Sequence, residues 1–172
     1  MCIRVSIIED FESITYLDCD MICLKDQSLE ISKHSKNLIE SKYILAARKE
    51  KFETIEMEKI IKNLQLSSSK YMNAGLLIID VNKWINGNLT QKLCEKLLQI
   101  ENNITYWDQD VFNAYLDGKF YELPESLNCY TNLGDNLIVR EEIKIVHFYG
   151  SKKPWTTKGT VSYKHLRAHE TD

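Results

Sequence analysis

The chain has 172 residues, 44% of them hydrophobic, enough to bury one core and to make a single domain the default expectation. A formal net charge of −3 and a pI near 5.9 give no electrostatic reason to expect nucleic acid as a partner. The five cysteines (Cys2, Cys19, Cys23, Cys94, Cys129) are odd in number and lack C-x-x-C spacing, which argues against a disulfide framework or structural zinc and for a reducing compartment. No apolar run approaches the length of a membrane span, and no signal-peptide core opens the chain, so a soluble cytoplasmic protein is expected.

Residues 1–13 hold a short apolar patch and then acids, and lead straight into Tyr16-Leu17-Asp18-Cys19-Asp20-Met21-Ile22-Cys23-Leu24. That stretch reads as one buried strand. In extended chain, residues two apart point the same way, so Asp18 and Asp20 would present their carboxylates on one face. Two carboxylates so close repel each other and lose hydration, and a divalent cation such as Mg²⁺ or Mn²⁺ relieves both problems. A strand end whose two acids merely face water explains the pair as well, and on these residues the two readings stand level.

Residues 25–41 are polar with a few apolar positions and read as a loop with short helical turns. Tyr43 to Ala47 is a second strand candidate. Residues 49–66 place Phe52, Ile55, Ile60, Ile61 and Leu64 near helical spacing, with charges on a solvated face. After the Ser67-Ser68-Ser69 break comes Tyr71-Met72-Asn73-Ala74-Gly75-Leu76-Leu77-Ile78-Ile79-Asp80, a buried strand entered through small residues. Asn73 offers a donor and an acceptor, and Gly75 permits close backbone approach to a ligand. A tight turn into a strand outweighs that ligand reading on these residues alone. Trp84 is expected to pack under the sheet, and residues 89–101 form a plain amphipathic helix with no cofactor role.

The stretch from Trp107 to Leu116 reads as a helix start, with Asp108 placed to cap the first turn and Phe112, Tyr115 and Leu116 facing inward. Capping needs one acid, so the cluster Asp108, Gln109, Asp110 and Asn113 is richer than capping requires. Asp117-Gly118 closes the helix, a short strand runs to Pro124, and residues 125–137 read as a polar loop. Residues 143–148 then alternate as a strand ending on His147, followed by the loop Tyr149-Gly150-Ser151-Lys152-Lys153-Pro154-Trp155. Imidazole can complete a metal site begun by two carboxylates. Gly150 frees backbone N–H for a phosphate, and a lysine adds a point charge. Alone, His147 would more often be a hydrogen-bonded structural histidine; its weight comes from the combination.

Taken in order, YLDCD, YMNAGLLIIDVNKW, DQDVFN, LPESLN and HFYGSKKPW resemble glycosyltransferase family 8, over roughly residues 14–155. That family includes bacterial lipopolysaccharide glucosyl- and galactosyltransferases and the relatives of glycogenin. The resemblance implies a GT-A fold, α/β around a mixed sheet, and a UDP-sugar donor. It implies that Asp18, Asp20 and His147 bind Mn²⁺ (or Mg²⁺), that Gly150 and Lys153 hold the diphosphate, and that Asn73 and Ala74 lie by the donor sugar. Asp108 and Gln109 would lie near the anomeric carbon, where a hexose passes with retention to a glycan or glycolipid acceptor. Gln109 is a weak nucleophile, so front-face attack is the easier route to retention. A cytoplasmic enzyme with a glycolipid acceptor would work at the inner face of the membrane without spanning it.

Two departures from the family pattern stand out. Family members carry several nucleotide-binding strands before the Asp-x-Asp segment, and only seventeen residues precede Asp18 in this chain. The sheet is therefore expected to be incomplete at its N-terminal side, with residues 1–155 a partial GT-A domain and the Asp18 strand at an open edge. Residues 156–172 are expected to stand outside the fold: SYKHLRAHET resembles a peptide found at the ends of translated sequencing assemblies, so His165 and His169 are not metal candidates. An inactive fragment is the main rival. A haloacid-dehalogenase-type phosphatase ranks lower, because Ile22 only approximates its motif and Val139 stands where a second acid is needed.

Overall fold

The structure is a computed structural model that describes residues 11–131, 142–149 and 153. These gather into two compact units, one made of residues 11–16 and 28–123 and the other of residues 17–27, 124–131, 142–149 and 153.

The first unit is built on a four-stranded sheet in the order β1-β4-β3-β5, from β1 (Ser13–Leu17), β3 (Leu45–Lys49), β4 (Met72–Asp80) and β5 (Tyr121–Glu122). β4 is buried along its whole length, as its unbroken apolar run Leu76 to Ile79 requires of a strand covered on both faces. It pairs antiparallel with β3, and β3 pairs parallel with β5, so the sheet is mixed. Among the described residues β1 lies at the sheet edge, the position expected for the strand leading into Asp18.

Helices α1 (Ser28–Glu40), α2 (Thr54–Leu64), α3 (Val81–Asn86), α4 (Leu89–Ile100) and α5 (Trp107–Leu116) complete this unit. Leu45, Met72, Leu77, Trp84, Leu89, Phe112 and Phe120 share one core cluster, so Trp84 does pack into the interior. A second cluster joins Ile60 and Leu64 of α2 to Tyr71 and Val111. The α4 stripe is buried at its ends, Leu89 and Ile100, whereas Cys94, Leu97 and Leu98 are exposed.

Within residues 25–41, Ser28–Glu40 form one continuous helix where a loop with short helical turns was expected. The inward positions of α1 include Ser35 as well as Leu38, so a polar residue sits where periodicity would need an apolar one and hides the pattern. Its C-terminal end is closed from elsewhere in the sequence: Lys83 Nζ donates to the carbonyls of Leu38 (3.0 Å), Ile39 (2.9 Å) and Ser41 (2.7 Å). The same ammonium pairs with buried Asp80 at 2.9 Å, whose other oxygen caps α3 through Lys83 N–H. A cation on the open carbonyls of a helix end is favourable both as a hydrogen-bond donor and against the helix dipole. Lys83→Met should therefore cost about 1–3 kcal/mol, seen as a lowered thermal midpoint; an unchanged midpoint would mean that water replaces the ammonium without loss.

The second unit carries a three-stranded sheet in the order β2-β7-β6, from β2 (Met21–Cys23), β6 (Cys129–Thr131) and β7 (Ile145–Phe148). β2 runs antiparallel to β7 and β6 parallel to it. The segment read as a polar loop after Pro124 thus contains a 3₁₀ turn, Glu125–Leu127, and the strand β6. Three residues are too few to display a strand period. The expected single strand over residues 16–24 is likewise two strands in two sheets, separated by a turn in which Met21 N–H donates to the Asp18 carbonyl. Apolar residues on both sides of the two acids made the break invisible to hydropathy.

Candidate functional site

The turn between β1 and β2 gathers what the extended reading assigned to a strand face. One ligand atom each from Asp18, Asp20 and His147 falls within 4.8 Å of the others. Phe148 N–H donates to the Asp20 carbonyl at 3.0 Å, so β7 fixes the turn against His147. His147 is 5% exposed. Its Nδ1 stands 3.0 Å from Asn128 Oδ1, which accepts from it and turns Nε2 toward Asp20. That Nε2 lies 3.3 Å from Asp20 Oδ1, a buried oxygen that accepts no hydrogen bond among the described residues.

A neutral imidazole at that range would share a cation with the carboxylate, and a protonated one would pair with it directly. The donor set, two carboxylates and one imidazole oriented by an amide, is one that could hold a divalent cation. Tyr130 packs edge-on against the imidazole with ring centroids 5.5 Å apart, which holds the ring in place. Lys153, expected at the diphosphate, reaches the same cluster: its ammonium donates to Asp20 Oδ2 and to the Phe148 carbonyl. Gly150 lies outside the described residues.

A second polar cluster belongs to the first unit and joins β4 to α5. The β3–β4 register breaks between Ala47 and Lys49, which pair with Leu77 and Met72, leaving Asn73, Ala74, Gly75 and Leu76 opposite Arg48. Such an irregularity releases backbone groups from the ladder. Ala74 N–H donates to Gln109 Oε1 at 2.9 Å, and Asn73 Nδ2 donates to the same oxygen at 3.0 Å and to Glu50 at 3.1 Å. Gly75 N–H donates to Asn73 Oδ1 at 2.9 Å. Asn73, Ala74 and Gln109 are thus brought together.

Asp108 is not drawn into that cluster. It does not cap α5, whose first turn has no side-chain cap. Asp110 instead holds the chain just before the helix, its Oδ2 accepting from Thr105 N–H at 2.6 Å and Tyr106 N–H at 2.7 Å, while Asp108 is left exposed. Trp107 before it has a positive φ of 50°, so the chain enters the helix from the left-handed region and turns the acid nearest the cap position away. Asp108 and Trp107 instead border an open cavity of about 490 Å³, with Trp84, Leu93 and Phe112 among its other walls. Tyr106 donates to Glu56, and burial together with that carboxylate pushes its hydroxyl up to about 12.

Sequence reading assigned no role to Asn128, Glu50 or Tyr71. Asn128 sat within LPESLN, and the available signal was an amide with no helix or turn to cap. Glu50 and Tyr71 gave none, since each pairs across tens of residues.

The fold is that of GT-A glycosyltransferases. It overlays the crystal structure of the galactosyltransferase LgtC, solved with donor and acceptor sugar analogs, at a TM-score of 0.72 and 20% identity, covering 98% of this chain and 66% of that one. The chain belongs to glycosyl transferase family 8, whose pattern matches residues 3–159. It is 27% identical to lipopolysaccharide 1,2-glucosyltransferase of Escherichia coli K12, over 84% of this chain and 44% of that protein. Identity to general stress protein A of Bacillus subtilis is also 27%, over 91% of this chain and 57% of that protein. The chain spans about half the length of the curated relatives it matches. Among the described residues no helix is long and apolar enough to cross a membrane.

Proposed function

We propose that the chain carries the metal- and donor-binding part of a retaining hexosyltransferase, which moves glucose or galactose from a UDP-sugar to a glycan or glycolipid acceptor. The observation that carries the reading is the convergence of Asp18, Asp20 and His147, with Asn128 fixing the imidazole so that Nε2 faces Asp20. Family membership favours glycosyl transfer over the phosphatase reading. The enzyme would act in the cytoplasm, at the inner face of the membrane where the acceptor is a glycolipid.

Asp18, Asp20 and His147 would hold Mn²⁺ (or Mg²⁺), which when bound supplies positive charge against the departing diphosphate. Lys153 is the residue that has to move. With a divalent cation held at Asp20, the Lys153 ammonium would be repelled from that carboxylate, and Lys153 and Gly150 would hold the diphosphate. Asn73 and Ala74 would bind the donor sugar, and Asp108 and Gln109 would line its anomeric side.

Release of UDP from UDP-glucose or UDP-galactose, with and without Mn²⁺, tests the reading; no release with any UDP-hexose would sink it. Lys153→Ala should weaken UDP binding by about tenfold or more, since a lost charge-assisted contact costs about 1.5–3 kcal/mol. Should Lys152→Ala produce that loss instead, the loop register that sets Lys153 against the diphosphate is wrong.

A further inference from the structure

Helix α5 has two occupied faces. Gln109 and Asn113, one turn apart, bond to the backbone of β4. Trp107, Asp108, Val111 and Phe112 fall on the other side of the 3.6-residue period and border the open cavity of about 490 Å³. That volume lies within the roughly 300–1,000 Å³ of small-molecule sites. Trp84 of α3 and Leu93 and Leu97 of α4 supply further wall.

The interior offers a polar ligand little. The Trp84 indole N–H already donates to Thr90 Oγ1 at 2.9 Å, and Trp84 and Phe112 pack edge to face with centroids 6.3 Å apart. The rim is different. Trp107 is 82% exposed, and it stands on a backbone φ of 50° that disfavours a side chain of its size. Asp108 beside it is exposed, and its carboxylate makes no hydrogen bond or ion pair among the described residues. An apolar protein partner or a second copy of the chain would bury that carboxylate without a donor, which is costly. A ligand that brings hydroxyls to the rim and an apolar body to the walls satisfies both.

We infer that the cavity receives the apolar aglycone of the sugar acceptor, with the acceptor ring at the rim against Trp107 and its hydroxyls donating to Asp108. One face of a pyranose presents C–H groups that pack on an indole, and its edge presents hydroxyls that a carboxylate accepts. An alkyl or aryl group on that ring then covers the apolar walls, which a soluble glycan would leave wet. The acceptor is therefore an amphiphilic glycoside. Its role as acceptor rests on the glycosyl-transfer reading; the chemistry of the cavity does not.

The full chain is titrated by calorimetry with octyl and methyl β-D-glucopyranoside, with the matching galactosides, and with octanol, all below micelle concentrations. The better octyl glycoside is expected to bind about tenfold or more tightly than its methyl counterpart and than octanol. Leu97→Glu, at an exposed helix position, sets a charge against the cavity wall and should weaken octyl glycoside binding by about tenfold or more. Asp108→Ala should lower it to the level of octanol. If Leu97→Glu does not fold, Trp107→Gly takes its place, since glycine adopts that backbone without strain; if neither folds, the octyl-to-methyl ratio decides. Equal affinity for octyl and methyl glycosides, or undiminished octyl binding in the variant, overturns the inference. So does a wild-type dimer that Leu97→Glu splits in sedimentation, which would make this face a self-interface. A chain that binds octyl glycoside as expected but cleaves no UDP-sugar keeps the glycoside site and refutes the glycosyl-transfer reading; cleavage without octyl selectivity does the reverse.

Discussion

Asp20→Asn is expected to remove Mn²⁺-dependent transfer while leaving the fold intact. Asp20 supplies the buried oxygen nearest His147 Nε2, and it also carries the Lys153 ammonium on its other oxygen. An amide keeps the size and one acceptor but gives up the charge, so neither a divalent cation nor the lysine is held as before. Turnover should drop by about 10²-fold or more, equivalent to roughly 3 kcal/mol of transition-state stabilisation. The thermal midpoint should move little, because Asp20 lies in a turn and its backbone bond to Phe148 does not involve the side chain. Full activity in this variant would dismiss the metal site; a collapsed fold would show that the carboxylate is structural.

The largest stability effect is expected at Asn113. Its side chain satisfies both backbone groups of Met72, at the start of a strand buried throughout. Asn113→Leu would leave that N–H and C=O without partners in the interior, at about 1–3 kcal/mol for each. The sum, roughly 2–6 kcal/mol, is a large share of the about 5–15 kcal/mol available to a domain. Urea unfolding should give a lower midpoint at an unchanged slope. Asn113→Asp, which keeps the acceptor for Met72 N–H, should lose less. Equal stability of Asn113→Leu and the wild type would mean that α5 is held to β4 by its apolar contacts alone.

The parts of the fold that the sequence displays are those whose signal is local. β4 announces itself through Leu76 to Ile79, α5 begins at Trp107 and ends at Asp117-Gly118 as expected, and β7 contains His147. The elements that escaped are those stabilised from a distance. α1 turns Ser35 inward and is closed by Lys83, more than forty residues away, so neither its period nor its cap is visible nearby. β6 exists because β7 accepts it as a neighbour.

The candidate site divides in the same way. Asp18 and Asp20 were legible as a pair, and their convergence survives although it comes from a turn and not from strand alternation. Asp108 was legible as a cap for the usual reason, an acid one residue into a helix. The left-handed Trp107 defeats that rule, and the buried Asp110 carboxylate instead meets Thr105 and Tyr106 N–H just before the helix. Asn128 became a functional candidate only through His147, a partner that no spacing rule connects to it.

Titration of the wild-type chain with Mn²⁺, followed by the loss of the free-ion paramagnetic resonance signal, addresses the central claim most directly. One bound ion per chain is predicted, with the site lost in Asp20→Asn and weakened in His147→Ala, and with tighter binding when UDP is added. A free-ion signal that falls no faster in the wild type than in Asp20→Asn would contradict it.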